Sequence, residues 1–175
     1  DDNLLTALRE NARIAADTAA PAAERAVALC WLFHLIGDLH QPLHTASLYN
    51  AAYPEGDRHG TQFFVRPPHG GDAVSLHYFW DSAVQRSQNM AEVTRSAAHL
   101  LQSHPGTAPD ETKQRPYQSA ASFEQWAREE SHRIAVTDGY QNGSLAGTPD
   151  RRSAVPLSEE YAGHVRTIAA RRTAL

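Results

Sequence analysis

The chain has 175 residues, 41% of them hydrophobic, and a formal net charge of −4. That is enough for one domain with its own core, and it excludes a basic nucleic-acid-binding stripe that works by counterion release. The single cysteine, Cys30, excludes an internal disulfide and a cysteine-cluster zinc site, and no segment is long and apolar enough to span a membrane or serve as a signal peptide. Abundant Ala and sparse β-branched residues favour helix.

Residues 3–16 carry Leu4, Leu5, Leu8, Ala12 and Ala15 at amphipathic helical spacing. After a short connection at 17–20, Pro21 and Glu24 suit a helix start, and a second helix is predicted over about 21–40. It is apolar on most sides and reads as the central buried helix, with Cys30 a small buried apolar residue. Residues 45–76 read as a long functional loop rich in Gly and Pro, with short strands of a hairpin at 62–66 and 73–75. A third helix is predicted from Leu76 or His77 to about His104, then a polar loop over 105–118. A fourth helix follows from a capping box at Ser122 and Gln125, a second loop over 139–156, and a last helix begins at Ser158. The fold class is an all-α multi-helix bundle of about five helices with a long loop bearing a small β-hairpin. The chain opens and closes within helical patterns, and the expectation is a single but incomplete domain over 1–175.

Chemistry concentrates in His34-Leu-Ile-Gly-Asp38-Leu-His40-Gln41-Pro42-Leu43-His44. His34 and Asp38 are four apart and share a helix face, and His77 and Asp81 repeat that spacing on another helix. Pro42 ends the second helix, so His44 comes from a different backbone element. Histidine nitrogen and carboxylate oxygen are zinc donors, and two such pairs plus His44 make a ligand set. The bland alternative is that each pair is a surface hydrogen bond or a satisfied core histidine. His40 points away from the His34–Asp38 face and is read as a helix-end or exposed histidine. His59, His69, His99, His104, His132 and His164 are read as surface residues, and Trp80 as core.

The opening string, then Gly56-Asp57-Arg58-His59-Gly60-Thr61-Gln-Phe63-Phe-Val65, then Leu76-His77-Tyr-Phe-Trp80-Asp81, resembles the nuclease S-one/P-one family, zinc-dependent single-strand nucleases and 3′-nucleotidases related to zinc phospholipase C. The likeness is dense over about 21–82 and looser through Trp126–Ser131 and the final helix. It implies that His34 ligates a first zinc, that Asp38 bridges the first and a third, and that His44, His77 and Asp81 hold the second. It further implies that a zinc-bound water beside Asp38 is the nucleophile, and that single-stranded DNA or RNA and 3′-nucleotides are cleaved to 5′-phosphate products. Asp81 in place of Glu favours the nuclease branch over a phospholipase. Ser82 and Thr61 are expected near the substrate.

The chain departs from the family loop Asp-Arg-Gly-Gly-Asn at His59 and Thr61. His59 in place of Gly costs backbone freedom unless its φ is negative. The resemblance also leaves the N-terminal ligands of the first and third zincs, and the extreme C-terminus, outside this sequence. One well-formed zinc site of the family's three is therefore expected from this chain, with a missing N-terminal segment or a self-associating copy as partner. A secreted or periplasmic location follows from the resemblance alone. The alternatives are a zinc phospholipase C-like lipid hydrolase and a non-catalytic fragment stapled by one structural zinc.

Overall fold

A computed structural model gives the fold and describes residues 3–104 and 120–174. The first helix, α1 (Leu4–Ala16), starts where Asn3 turns its side-chain oxygen onto the Thr6 amide at 3.0 Å. Its Leu8 stripe packs antiparallel-fashion onto α2 (Ala22–His40) across a short turn. Pro42 stops α2, and a 3₁₀ turn (Pro42–Thr45) carries the chain away. The irregular stretch that follows contains β1 (Phe64–Arg66) and β2 (Val74–Ser75), paired antiparallel as the expected hairpin. A third strand, β3 (Val155–Pro156), lies parallel to β1 on its other side and gives the order β2-β1-β3.

The helix expected over 76–104 is two helices, α3 (Leu76–Asp81) and α4 (Met90–Ser103). Local polar side chains break it. Gln85 Oε1 accepts from the amides of Arg86 and Ser87, both at 2.8 Å, and Asn89 Oδ1 caps the start of α4 at the Ala91 and Glu92 amides. Such side-chain-to-backbone bonds offer the chain an alternative to helix. The polar loop expected over 105–118 lies outside the described residues.

The fourth helix does not begin at the Ser122 capping box. The segment α5 (Ala120–Trp126) is already helical there, and it runs on through a π-helical stretch (Ala127–Ser131), a short α-turn (His132–Ile134) and a second π stretch (Ala135–Gly139). The last helix, α6 (Glu159–Thr173), starts at Ser158, whose hydroxyl accepts the Tyr161 amide at 3.0 Å.

Two apolar clusters form. Leu8, Leu35, Leu39, Trp126 and Ala127 join α1, α2 and α5. Leu43, Phe63, Val65, Leu76, Trp80, Tyr161 and Val165 are among those that join the 3₁₀ turn, the sheet, α3 and α6. Trp80 is core, its indole N–H donating to the Tyr161 hydroxyl at 3.2 Å.

The expectation that α2 is buried all round is corrected. Only Ala28, Leu35 and Leu39 are buried, because its neighbours cover one side, while Val27, Trp31 and Phe33 face outward and Cys30 is exposed. Among the described residues no helix is long and apolar enough to cross a membrane.

The end of α2 is tied down by a buried arginine. Arg172 of α6 is 3% exposed, donates to the carbonyls of His40 and Leu39, to Ser131 Oγ and to Glu130, and lies 4.4 Å over the Trp126 ring. Ser131 adds a bond of its own to the Leu39 carbonyl at 2.8 Å. These groups take up carbonyls that a helix C-terminus leaves open.

Replacing Arg172 by Leu removes these donors and strands buried acceptors, which costs about 2–4 kcal/mol. Urea unfolding is expected to show a lower midpoint with an unchanged slope. Gly60 is a second sensitive position. Its φ is +80°, and an added Cβ would sit 3.2 Å from the His77 nitrogen and from a Leu43 methyl. Gly60→Ala is expected to cost about 1–2 kcal/mol from the left-handed backbone and the crowding together, read in the same unfolding experiment.

Candidate metal centre

Three elements converge at the end of α2. Asp38 stands in its last turn, His44 on the 3₁₀ turn beyond Pro42, and His77 and Asp81 on the single short helix α3. Ligand atoms of His44, His77 and Asp81 all lie within 4.8 Å of one another, and this is the one set of three or more metal-ligating side chains so gathered among the described residues. The His44 and His77 rings meet edge to face, 4.6 Å between centroids. His77 Nε2 lies 3.6 Å from Asp81 Oδ2.

Asp38 flanks this set. Its Oδ1 is 3.8 Å from His44 Nε2, and its Oδ2 is 3.3 Å from His34 Nε2. Its two oxygens are thus divided between the three-residue cluster and His34, which stands on the exposed side of α2.

The surrounding bonds set tautomers and rotamers. His77 Nδ1 is 2.8 Å from the His59 carbonyl. A carbonyl only accepts, so Nδ1 carries a proton, and Nε2 is left as the ring nitrogen that could ligate a metal. Burial holds the His44 imidazole below its ordinary range; Asp38 pulls it back up and His77 pushes it further down. A lowered pKa favours the neutral imidazole, the form that binds a metal.

The His59 carbonyl is placed by an unusual loop. Arg58 and His59 both have positive φ, +52° and +60°. So the residue that replaces the family's Gly adopts the conformation that Gly would have taken without cost. Asp57, fully buried, accepts the Leu48 amide at 3.0 Å and anchors the start of this loop. Inside the fold, burial pushes the neighbouring Tyr53 phenol up to about 12 and the Tyr140 phenol higher still, Asp57 adding to both, so each stays protonated.

Two cavities flank His44. One of about 240 Å³ is lined by Asp38, Gln41, Asp81, Trp80 and Arg172. The other, about 890 Å³, is lined by Arg9, Thr45, His59, Arg128 and His132. His132 and His59 were expected on the surface. Both are exposed, and both have Nδ1 against a main-chain carbonyl, of Thr45 at 2.9 Å and Ala46 at 3.1 Å, while sharing that cavity wall with His44.

His40 is at the helix end, the last residue of α2, and is half-buried rather than exposed, its ring tilted against Trp126 at 4.7 Å between centroids with Nδ1 on the Ile36 carbonyl. Ser82 is buried, its hydroxyl donating to the Phe79 carbonyl at 3.3 Å, and it lines a separate cavity with Arg166. Thr61 is exposed, and its hydroxyl donates to the Arg58 carbonyl at 2.8 Å.

Gln41 was passed over in the sequence, yet its amide nitrogen donates to Asp81 Oδ1 at 3.0 Å. An amide between a helix end and a proline was the available signal. The His59 carbonyl left none, since a backbone acceptor has no letter in the sequence.

Comparison with known proteins places the chain in a family. Endonuclease 5 of Arabidopsis thaliana is 35% identical over 75 residues, which is 43% of this chain and 22% of that protein. The chain therefore matches about a fifth of the length of that curated relative. The profile described as S1/P1 Nuclease matches residues 1–175, the full length of the sequence. With a mainly helical fold and a small three-stranded sheet among the described residues, the chain belongs to the S1/P1 nuclease family.

Proposed function

We propose that the chain acts as a zinc-dependent phosphodiester hydrolase on single-stranded DNA or RNA and on 3′-nucleotides, leaving 5′-phosphates, and that it works outside the cytoplasm. The observation that carries the reading is the His44–His77–Asp81 cluster, with Asp38 beside it, in a member of this family.

The donor set fits zinc. Two imidazole nitrogens and one carboxylate oxygen are three protein ligands, the number a catalytic zinc site keeps while leaving a fourth position open. Asp81 is 46% exposed on its side chain and borders the smaller cavity, so the cluster has an open side, unlike a closed structural site. When bound, zinc supplies Lewis acidity and brings the pKa of water toward ~7.

The chain's own residues then do the positioning. His77 is held in one tautomer by the His59 carbonyl, and His44 is kept neutral by burial. Asp38, divided between His34 and His44, would hold metal beside the cluster in this reading. The family's three-zinc centre needs donors beyond those that the described residues bring together.

The test is hydrolysis of a single-stranded oligonucleotide, a 3′-nucleotide and phosphatidylcholine vesicles, before and after chelation and after zinc is restored. Cleavage of the first two that disappears with chelator and returns with zinc is expected. Chelator-insensitive cleavage sinks the mechanism, lipid hydrolysis alone transfers the chain to the phospholipase reading, and zinc uptake with no hydrolysis makes the ion structural. His77→Ala removes a ligand rather than its support, and its zinc affinity is expected to fall by at least about 100-fold, measured by calorimetric titration of the metal-free protein.

A further inference from the structure

We propose that Gln41 is the positioning residue of this centre, holding Asp81 by one carboxylate oxygen so that the other is left for the ion. The inference rests on the zinc reading above and extends it to a residue that is not itself a ligand.

Gln41 sits where three pieces of the centre meet. Its backbone amide donates to the Asp38 carbonyl at 3.1 Å, the last hydrogen bond of α2. Its side-chain oxygen accepts the Leu43 amide at 2.6 Å and so caps the 3₁₀ turn that carries His44. Its side-chain nitrogen reaches across forty residues of sequence to Asp81 Oδ1 at 3.0 Å. One planar amide, with both ends used, thereby fixes the separation between the turn of His44 and the carboxylate of Asp81.

Asp81 needs such a partner. It is the last residue of α3, its side chain is about half exposed, and the nearby His77 Nε2 is at 3.6 Å, beyond hydrogen-bond reach. A carboxylate there rotates freely unless something holds it. Engaging Oδ1 leaves Oδ2, the oxygen on the His77 side, to coordinate. The chemistry of the partner matters too. A lysine or arginine in this place would neutralise the carboxylate and compete with the ion, whereas a neutral amide orients it and leaves its charge intact. Hydrogen-bonded ligating carboxylates are the rule at metal sites.

The two ends of the amide are separable by mutation. Asparagine at 41 is one methylene shorter. It keeps an acceptor for the amide two residues on, as Asn does in local turns, but it does not reach Asp81. Alanine loses both ends.

The experiment titrates Co²⁺, a visible stand-in for zinc, into the metal-free full chain and its variants, recording affinity, the ligand-field band and the melting temperature without metal. The parent is expected to bind. Gln41→Asn is expected to bind about 10–100-fold more weakly with a shifted band, and to melt as the parent does without metal. Gln41→Ala is expected to lose similar affinity and also to melt lower. In an Asp81→Asn background, Gln41→Asn is expected to cost no further affinity, since its partner is already changed.

Parent-like affinity and band in Gln41→Asn overturn the proposal. So does a penalty that persists in full beside Asp81→Asn, or a fall in metal-free melting as large as that of Gln41→Ala, which would place the role in the turn alone. A parent that takes up no cobalt overturns the zinc reading along with it.

Discussion

The candidate metal centre of this protein depends on how α2 stops. Pro42 has no N–H to donate and cannot continue the ladder, so the helix ends at His40, two residues before it, with unmet carbonyls. Those of Leu39 and His40 are claimed by Arg172 and Ser131, contributed by α6 and by the π-helical stretch after α5. The guanidinium is matched in turn by Glu130 and by the Trp126 face. The helix end is thereby fixed by α6 and the π-helical stretch, with Arg172 also lining the smaller cavity beside Asp38 and Asp81. That leaves Asp38 and the 3₁₀ turn of His44 with a set angle between them, which the metal itself does not have to impose.

A second constraint acts from the opposite side. The loop carrying Arg58, His59 and Gly60 holds three successive residues at positive φ. For the two that are not glycine this costs of the order of 1 kcal/mol each. The loop persists because its surroundings determine it: buried Asp57 at one end, the Thr61-to-Arg58 turn at the other, and the Gly60 carbonyl accepting the His77 amide at 3.2 Å. The product of the strain is a carbonyl aimed at His77 Nδ1. His59 takes a left-handed conformation that a glycine would adopt without cost, and it places an imidazole in the wall of the larger cavity.

What the sequence disclosed follows from range. The His34–Asp38 and His77–Asp81 spacings are local, and helices turned both into neighbours. Pro42 announced its break, and the β1–β2 hairpin announced itself by its turn residues. The break between α3 and α4 was also local, written in Gln85, Ser87 and Asn89, but those residues are tolerated in helices as well and were outvoted by the apolar spacing beyond them. Strand β3 was hidden because two residues ending in proline carry no strand signal of their own; they pair only because β1 is there to receive them. Arg172 and Gln41 were hidden for the same reason, since their partners lie 41 to 133 and 40 residues away. The candidate ligands stood close together in the sequence pattern, and the groups packed around them were tertiary.

The position of the centre in the fold gives the ion more than one consequence. Leu39 belongs to the cluster of α1, α2 and α5, and Leu43, four residues on, to the cluster of the sheet, α3 and α6. Asp38 and His44 bracket that passage, so the ligands stand at the seam between the two cores. A metal held by His44, His77 and Asp81 would cross-link the 3₁₀ turn to α3, from position 44 to position 81, and its binding free energy would become folding free energy. Under the proposed function the same ion would also set the electrostatics of the cavity. Asp38 and Asp81 border it together with Arg172, whose charge is matched by Glu130, and the two carboxylates would repel a phosphate. A bound dication would reverse that local sign. The carboxylates that disfavour such a substrate in the metal-free chain would thus be those that hold what attracts it.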